Sequence, residues 1–248
     1  MRRAIWAVAA ALLVLGIWQA VVVIAAVPPF ILPGPGRVAA ALWTNRALIA
    51  ANAWVTILEV LIGLALGTLV GAAVAIGLAA SARARALVRP ILVFSQAVPV
   101  FALAPILTLW FGYGIGSKVV MAVLIIFFPV ASSFLDGLLA TPPGYLDLAR
   151  CMGARPAATL WRIRVPAALP SLASGLRLAA VYAPIGAVIG EWVGASRGLG
   201  YLMLLANGRA KIDLMFAALI VLAAFTIIIH ALIDLAAQRL QSRAGGGR

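Results

Sequence analysis

The chain has 248 residues, of which 65% are hydrophobic and 10% charged, with a formal net charge of +13. Soluble domains contain about 45–50% apolar and about 25% charged residues, so this composition excludes a water-soluble fold. One cysteine and one histidine exclude an internal disulfide and the usual zinc sites. The arginines are scattered without interleaved aromatic residues, which indicates contact with anionic lipid rather than nucleic acid.

Six apolar runs are long enough to cross a hydrocarbon core of about 30 Å as helices. They are Ala4–Val27, Ala53–Ala80, Ile91–Phe111, Val119–Leu139, Leu172–Gly194 and Leu214–Ala237. Because the runs are continuous rather than alternating, they predict helices and not barrel strands. The expected fold is an all-α integral membrane protein with six transmembrane helices, in one domain covering residues 1–248.

The first run follows Arg2-Arg3, as the apolar part of a signal peptide would, but it is long and lacks a small-residue cleavage site. We therefore interpret it as a retained spanning helix. With both termini inside, the cytoplasmic side carries roughly twice as many flanking positive residues as the outer side. The inner set is Arg2, Arg3, Arg83, Arg85, Arg89, Arg150, Arg155, Arg162, Arg164, Arg239, Arg243 and Arg248. The outer set is Arg37, Arg46, Lys118, Arg197, Arg209 and Lys211.

Glycine and proline organise the chain between and within these runs. The proline-rich segment 28–36 predicts an outer connector, and residues 37–50 a short amphipathic helix at the membrane interface. The second run contains glycines four residues apart, at Gly63, Gly67 and Gly71. This spacing predicts a helix face that a neighbouring helix approaches closely. Kinks are predicted at Pro99, Pro105, Pro129 and Pro184. Segment 112–118 has the wrong spacing for a phosphate loop and predicts a turn.

Two glutamates stand in apolar surroundings. Glu59 lies about two turns into the second run, and Glu191 lies beside Trp192 near the outer end of the fifth. Charge inside a bilayer faces the bundle interior, a partner or a wet cavity. Two interpretations stay open: structural hydrogen bonding or interfacial anchoring, and an outer translocation path formed by Glu59, Glu191 and Trp192. His230 and Asp234 are four residues apart on the last run, which favours a local pair.

A basic, amphipathic segment covers about residues 141–170, between the fourth and fifth runs. Residues 144–152 predict a short helix that Gly153 ends, and Pro156 begins a second short helix ending near Arg164. On the second helix Leu160 and Ile163 share a face, which is the pattern of a helix that fits a groove.

At these residues the sequence resembles the permease subunits of binding-protein-dependent bacterial ATP-binding-cassette (ABC) importers. Their cytoplasmic loop carries Glu-Ala-Ala, Gly, Ile and Leu-Pro at fixed spacing. This chain has Asp147-Leu148-Ala149, Gly153, Ile163 and Val165-Pro166 in their place. The similarity continues at segments 168–171, 174–177, 190–192 and 198–200. Segment 183–192 is most similar to hydroxymethylpyrimidine permeases, within the group that handles nitrate, sulfonates, taurine and thiamine precursors.

The resemblance implies two permease copies, two cytoplasmic ATPases and an extracytoplasmic substrate-binding protein in a bacterial inner membrane. ATP would be bound by the partner subunit, and no cofactor or catalytic site is expected in this chain. The ATPase-coupling interface would consist of Asp147, Ala149, Gly153, Ile163 and Pro166. The expected solute is a pyrimidine precursor of thiamine, with nitrate, taurine or aliphatic sulfonates as alternatives.

Two rival functions belong to other classes. A secondary transporter or channel acting alone predicts paired intramembrane charges or an inverted repeat. Neither is evident in the sequence. A non-transporting membrane scaffold would leave the basic segment free to bind something other than an ATPase.

Overall fold

The computed structural model describes the backbone of residues 2–244, with the side chains of Trp6 and of residues 9–241; Arg248 lies outside the described residues. These residues fold into helices joined by short turns, which confirms the all-α prediction. The helices are α1 (Arg2–Ile24), α2 (Pro35–Thr44), α3 (Arg46–Ala80), α4 (Ala82–Ala97), α5 (Val100–Phe111), α6 (Ile115–Leu139), α7 (Pro143–Cys151), α8 (Pro156–Thr159), a π-helical turn (Leu160–Arg164), α9 (Val165–Gly194), α10 (Leu199–Gly208) and α11 (Ile212–Ala244).

Within the described part of the chain, four helical segments are long and apolar enough to cross a membrane. They are Arg46–Ala80, Ile115–Leu139, Pro156–Gly194 and Ile212–Gln241. The pair α4 and α5 provides a fifth crossing if the two are counted together. The apolar part of α1, Ala9–Ile24, is shorter than these. Six spans therefore stay a prediction, although each predicted run is helical over most of its length.

The third apolar run is not one continuous helix, and the prediction is wrong in this respect. Helix α4 ends at Ala97, α5 begins at Val100, and their axes differ by 98°. Pro99 lacks an N–H, and its ring disfavours helical backbone at Val98, so a sharp break replaces the expected kink. Pro105, Pro129 and Pro184 lie inside continuous helices instead.

Helices α3, α6 and α9 form the centre of the bundle. The glycine face of α3 packs on α6, which confirms the predicted close approach. A Cβ atom built on Gly63 would lie 2.5 Å from the Ala122 Cβ, and one on Gly67 would lie 2.8 Å from Ile126 Cγ2. One on Gly71 would lie 2.9 Å from the Phe127 carbonyl oxygen. A side chain at any of these positions therefore separates the two helices.

The contact between α6 and α9 also depends on small residues, which sequence reasoning did not single out. A Cβ atom on Gly175 would lie 2.9 Å from the carbonyl oxygen of Pro129, and one on Gly186 would lie 3.0 Å from the Cα of Ala122. Ala179, Ala183 and Ala187 of α9 are fully buried in the same core. Close backbone packing thus fixes α6 against both of its neighbours.

The short helix predicted at residues 37–50 is α2, which ends at Thr44, and the chain from Arg46 onward already belongs to α3. Val38 and Ala41 of α2 are buried in a core formed with α3, α10 and α11. Helix α2 therefore packs against the bundle, and its position at the membrane interface stays a prediction. Helix α1 contacts this core near its carboxyl end, where the Trp18 and Phe216 ring centroids are 5.8 Å apart.

Candidate functional site

The basic segment begins with α7, which matches the first predicted short helix. Proline occupies the first turn at Pro143, where a missing N–H costs nothing. Gly153 ends the helix with φ +69°, and the N–H of Ala154 donates to the carbonyl of Ala149 at 2.9 Å. Glycine adopts this left-handed conformation without the strain that a Cβ imposes. The predicted stop at Gly153 is confirmed.

The second predicted short helix does not end near Arg164. Helix α8 continues through the π-helical turn into α9, so that Pro156–Gly194 is one helical segment of 39 residues. The N–H of Val165 donates to the carbonyl of Leu160, which widens the helix directly before Pro166. Proline has no backbone N–H to donate within a helix. The widened turn before Pro166 allows the helix to continue through it.

The two faces of α7 differ. Ala149 is buried at 4% exposure and lies against the bundle. An apolar stripe at helical spacing projects outward instead, with exposures of 61% for Tyr145, 59% for Leu148 and 77% for Met152. The sequence analysis did not identify this stripe, although its i, i+3, i+7 spacing is visible in the sequence. Asp147 is exposed and bonds Arg150 at 2.9 Å.

The five predicted interface residues are therefore not equivalent. Asp147, Gly153 and Pro166 are exposed, Ile163 is half-buried, and only Ala149 is buried. Behind α7, a cavity of about 560 Å³ separates the segment from the turn between α3 and α4. Arg85 and Arg164 line it and donate to the carbonyls of Leu78 and Ala79 at the end of α3, at 3.4 Å and 3.5 Å.

At the opposite end of the bundle, Glu191 lies in a buried polar cluster. Its carboxylate is 1% exposed and accepts a hydrogen bond from Thr56 Oγ1 at 2.6 Å. The backbone N–H groups of Gly200 and Tyr201 donate to its other oxygen. These N–H groups belong to the first turn of α10, where donors lack helical partners and negative charge is stabilised. Glu191 thereby joins α9 to α10.

Helix α3 holds the same turn from its other side. The N–H of Leu199 donates to Thr56 Oγ1 at 2.8 Å, and the N–H of Gly198 donates to Asn52 Oδ1 at 2.9 Å. Gly198 has φ +119°, and a Cβ there would overlap the Glu191 carboxylate. Glycine is thus required at this position both for its backbone angle and for the close approach.

Lys118 completes the cluster, and it lies in a helix rather than in the turn predicted for segment 112–118. Helix α6 already begins at Ile115, and Lys118 is 1% exposed. Its Nζ donates to the carbonyls of Tyr113 and Gly194, and it interacts electrostatically with Glu59 and Glu191. The sequence signal was a lysine directly before a long apolar run, and the glycine-rich turn concealed it.

Glu59 is 2% exposed and interacts electrostatically with Glu191. Its Oε2 has no hydrogen-bond partner among the described residues. The structure thus contains a pair of buried acidic side chains that the sequence did not reveal. Both carboxyl groups are enclosed by this chain, and neighbouring Trp192 is 50% exposed. A translocation path formed by Glu59, Glu191 and Trp192 stays a prediction.

Asp234 forms an ion pair across helices and a hydrogen bond along its own helix. Arg177 Nε of α9 donates to Asp234 Oδ1 at 2.6 Å, and Gln238 Nε2 donates to Oδ2 at 2.9 Å. His230 contributes an electrostatic interaction only. The predicted local pair is therefore replaced by an ion pair that ties α9 to α11, because Arg177 extends a longer side chain to the same carboxylate.

Comparison with known proteins places these features in context. Residues 63–244 match the family model described as the binding-protein-dependent transport system inner membrane component. A probable ABC transporter permease protein of Haemophilus influenzae is 51% identical over 218 residues, covering 88% of this chain and 89% of the relative. The formylaminopyrimidine transport permease protein ThiX of Halalkalibacterium halodurans is 41% identical over 174 residues, covering 70% of each.

A solved structure supports the fold. The inward-facing MetNI methionine ABC transporter superposes with a TM-score of 0.70 at 21% identity, covering 79% of this chain and 98% of the matched chain. At this identity the likeness concerns the fold alone.

Proposed function

Because the chain belongs to the family of binding-protein-dependent transport system inner membrane components, we propose that it admits a hydroxymethylpyrimidine-type precursor of thiamine. It is a permease subunit of an ABC importer and not an enzyme, and ATP hydrolysis belongs to a separate subunit. The observation that carries the choice of solute is the 41% identity to a formylaminopyrimidine permease. The whole chain acts as one permease domain that pairs with a second copy.

The segment around α7 is proposed as the surface that receives the ATPase. Its exposed stripe, Tyr145, Leu148 and Met152, provides an apolar face that a groove can bury. Asp147, Gly153, Ile163 and Pro166 flank this face. Ala149 serves by its small size, since it allows α7 to lie against the bundle. The cavity behind α7 gives the segment room to move when the ATPases close.

Helix geometry provides the route by which that movement reaches the outer side. The segment Pro156–Gly194 is helical throughout, which corresponds to about 58 Å at 1.5 Å per residue. Displacement at Pro156 therefore moves Glu191 at the other end, and with it the first turn of α10. Trp192, half exposed beside Glu191, is proposed to face the outer mouth of the path, where a loaded binding protein docks.

The orientation is testable through Cys151, the chain's one cysteine, which is exposed at the end of α7. A membrane-impermeant maleimide is expected to label it in inside-out vesicles and not in intact cells, because both termini and α7 are proposed to be cytoplasmic. Cys151→Ser provides the unlabelled control. Labelling in intact cells would place α7 outside and would contradict the proposed coupling surface.

Transport itself is tested with the permease, its ATPase and its binding protein reconstituted in vesicles. Uptake of labelled hydroxymethylpyrimidine is expected to require ATP and the binding protein. An excess of unlabelled formylaminopyrimidine is expected to compete, whereas taurine, nitrate and a larger flavin are not. Competition by taurine or nitrate alone would assign the chain to those solutes. Uptake without the ATPase would favour a stand-alone transporter.

A further inference from the structure

A recess of about 500 Å³ is lined by residues of α4, α5, α6 and α9. Its volume lies within the range of about 300–1,000 Å³ that is usual for small-molecule sites. The recess is lined by Gln96, Val100, Leu124, Ile125, Phe128, Pro129, Ser132, Ser133, Leu178 and Tyr182. Neither the buried cluster around Glu191 nor the α7 surface contributes to it.

The recess lies near the middle of α6 and α9 along their lengths. Phe128 is close to the midpoint of α6 (Ile115–Leu139), and Tyr182 is close to the midpoint of α9 (Val165–Gly194). Gln96 and Val100 flank the 98° break between α4 and α5. Non-helical backbone at membrane depth is tolerated where it is buried in protein or lines a water-filled cavity, and not where it meets lipid. The break therefore favours a face that protein or water covers.

The polar groups in the recess are unused. Within the described part of the chain, the Gln96 amide, the Ser133 hydroxyl and the Tyr182 hydroxyl have no hydrogen-bond partner. Two hydroxyls on the same helices bond to their own helix instead: Ser95 donates to the Leu92 carbonyl at 2.7 Å and Ser174 to the Pro170 carbonyl at 3.2 Å. Polar side chains inside a span mark solute pathways when they remain free and face one space.

The chemistry of the lining selects a class of solute. None of the ten lining residues is charged, so the recess offers an anion no compensating cation. Phe128 and Tyr182 provide aromatic faces, and the amide and hydroxyl groups both donate and accept hydrogen bonds. This combination matches a neutral, planar, hydrogen-bonding heterocycle better than nitrate or a sulfonate.

We propose that this recess is the place where the passing heteroaromatic solute contacts the permease, with Gln96, Ser133 and Tyr182 as its hydrogen-bonding residues. The proposal rests on the proposed function and adds to it a site within this chain. Discontinuous helices at the membrane centre form substrate sites in other transporters, because their ends leave backbone groups free for the solute. Here the break at Pro99 creates the opening, and side chains from α4, α6 and α9 supply the contacts.

The test uses the reconstituted importer with its ATPase and its binding protein loaded with hydroxymethylpyrimidine. Gln96→Ala, Ser133→Ala and Tyr182→Phe are expected to lower the uptake rate by about three- to tenfold, the effect of one lost hydrogen bond. ATPase stimulation by the loaded binding protein is expected to stay at the wild-type level. Ser95→Ala and Ser174→Ala are the matched controls, and their uptake is expected to stay within about twofold of wild type.

Three results separate this proposal from the proposed function. If wild-type vesicles import no pyrimidine, the proposed function fails before the variants are compared. If wild type imports it and all three variants do so equally well, the recess is not the contact site. If uptake and ATPase stimulation fall together in the variants, the three side chains serve coupling and the solute site is overturned.

Discussion

The two ends of α9 handle polar and apolar side chains in opposite ways. At the end next to α7, the chain exposes an apolar stripe and an ion pair between Asp147 and Arg150 that lies in solvent. At the other end, Glu59, Lys118 and Glu191 are almost completely buried. An apolar surface that a partner covers can be exposed in the free chain, whereas a buried charge needs a compensating group within the chain. We therefore expect the end next to α7 to tolerate mutation without loss of folding, and the other end not to tolerate it.

The largest effect is expected from Lys118→Met. Removing one partner of a buried ionic group costs about 3–5 kcal/mol, because the remaining charges stay buried without compensation. The variant is expected to accumulate poorly and to melt well below wild type in detergent, as measured by thermal unfolding. Lys211→Met is the matched control, since Lys211 is the chain's other lysine and is exposed. Equal melting temperatures for wild type and Lys118→Met would show that the cluster is not a stabilising element.

Gly153→Leu is expected to abolish most uptake while membrane insertion continues. A leucine at φ +69° introduces strain of about 1–3 kcal/mol and redirects the chain after α7. The measurement is ATP-dependent uptake beside the amount of permease in the membrane. Gly144→Leu is the control within the same segment, where a Cβ meets nothing within 4 Å. Wild-type uptake by Gly153→Leu would remove this segment from the coupling route.

Leu148→Ala is expected to weaken ATPase binding by about tenfold with no change in melting temperature. Leu148 is 59% exposed, so its truncation removes apolar area from an interface and not from the core. Co-purification with the ATPase and titration of ATPase activity measure the effect. Leu109→Ala changes an exposed leucine of α5, at the other side of the molecule, and is expected to bind normally. Equal binding by both variants would exclude the stripe from the interface.

The sequence predicted features that depend on local spacing. Most of the apolar runs, the glycine face of α3 and the stop at Gly153 follow from residues within one or two turns, and the structure contains them. The cluster around Glu191 was not predictable in this way, because Thr56 and Glu191 are 135 residues apart. Lys118 was assigned to a turn because hydropathy does not show where a helix begins. The break at Pro99 and the π turn before Pro166 were not predicted either, because composition does not distinguish a kinked helix from a broken one.

The smallest effect is expected at the ion pair between Arg177 and Asp234, which lies away from both ends of α9. Its side chains are 27% and 35% exposed, so solvent screens the pair. Asp234→Asn is expected to lower the melting temperature by no more than about 2 °C and to leave uptake unchanged. Exchange of the two charges, Arg177→Asp with Asp234→Arg, is expected to behave similarly, since the link between α9 and α11 persists. A large loss of uptake in Asp234→Asn at normal stability would mean that α11 moves with α9 during transport. The ion pair would then be a third functional contact of α9, besides those at its two ends.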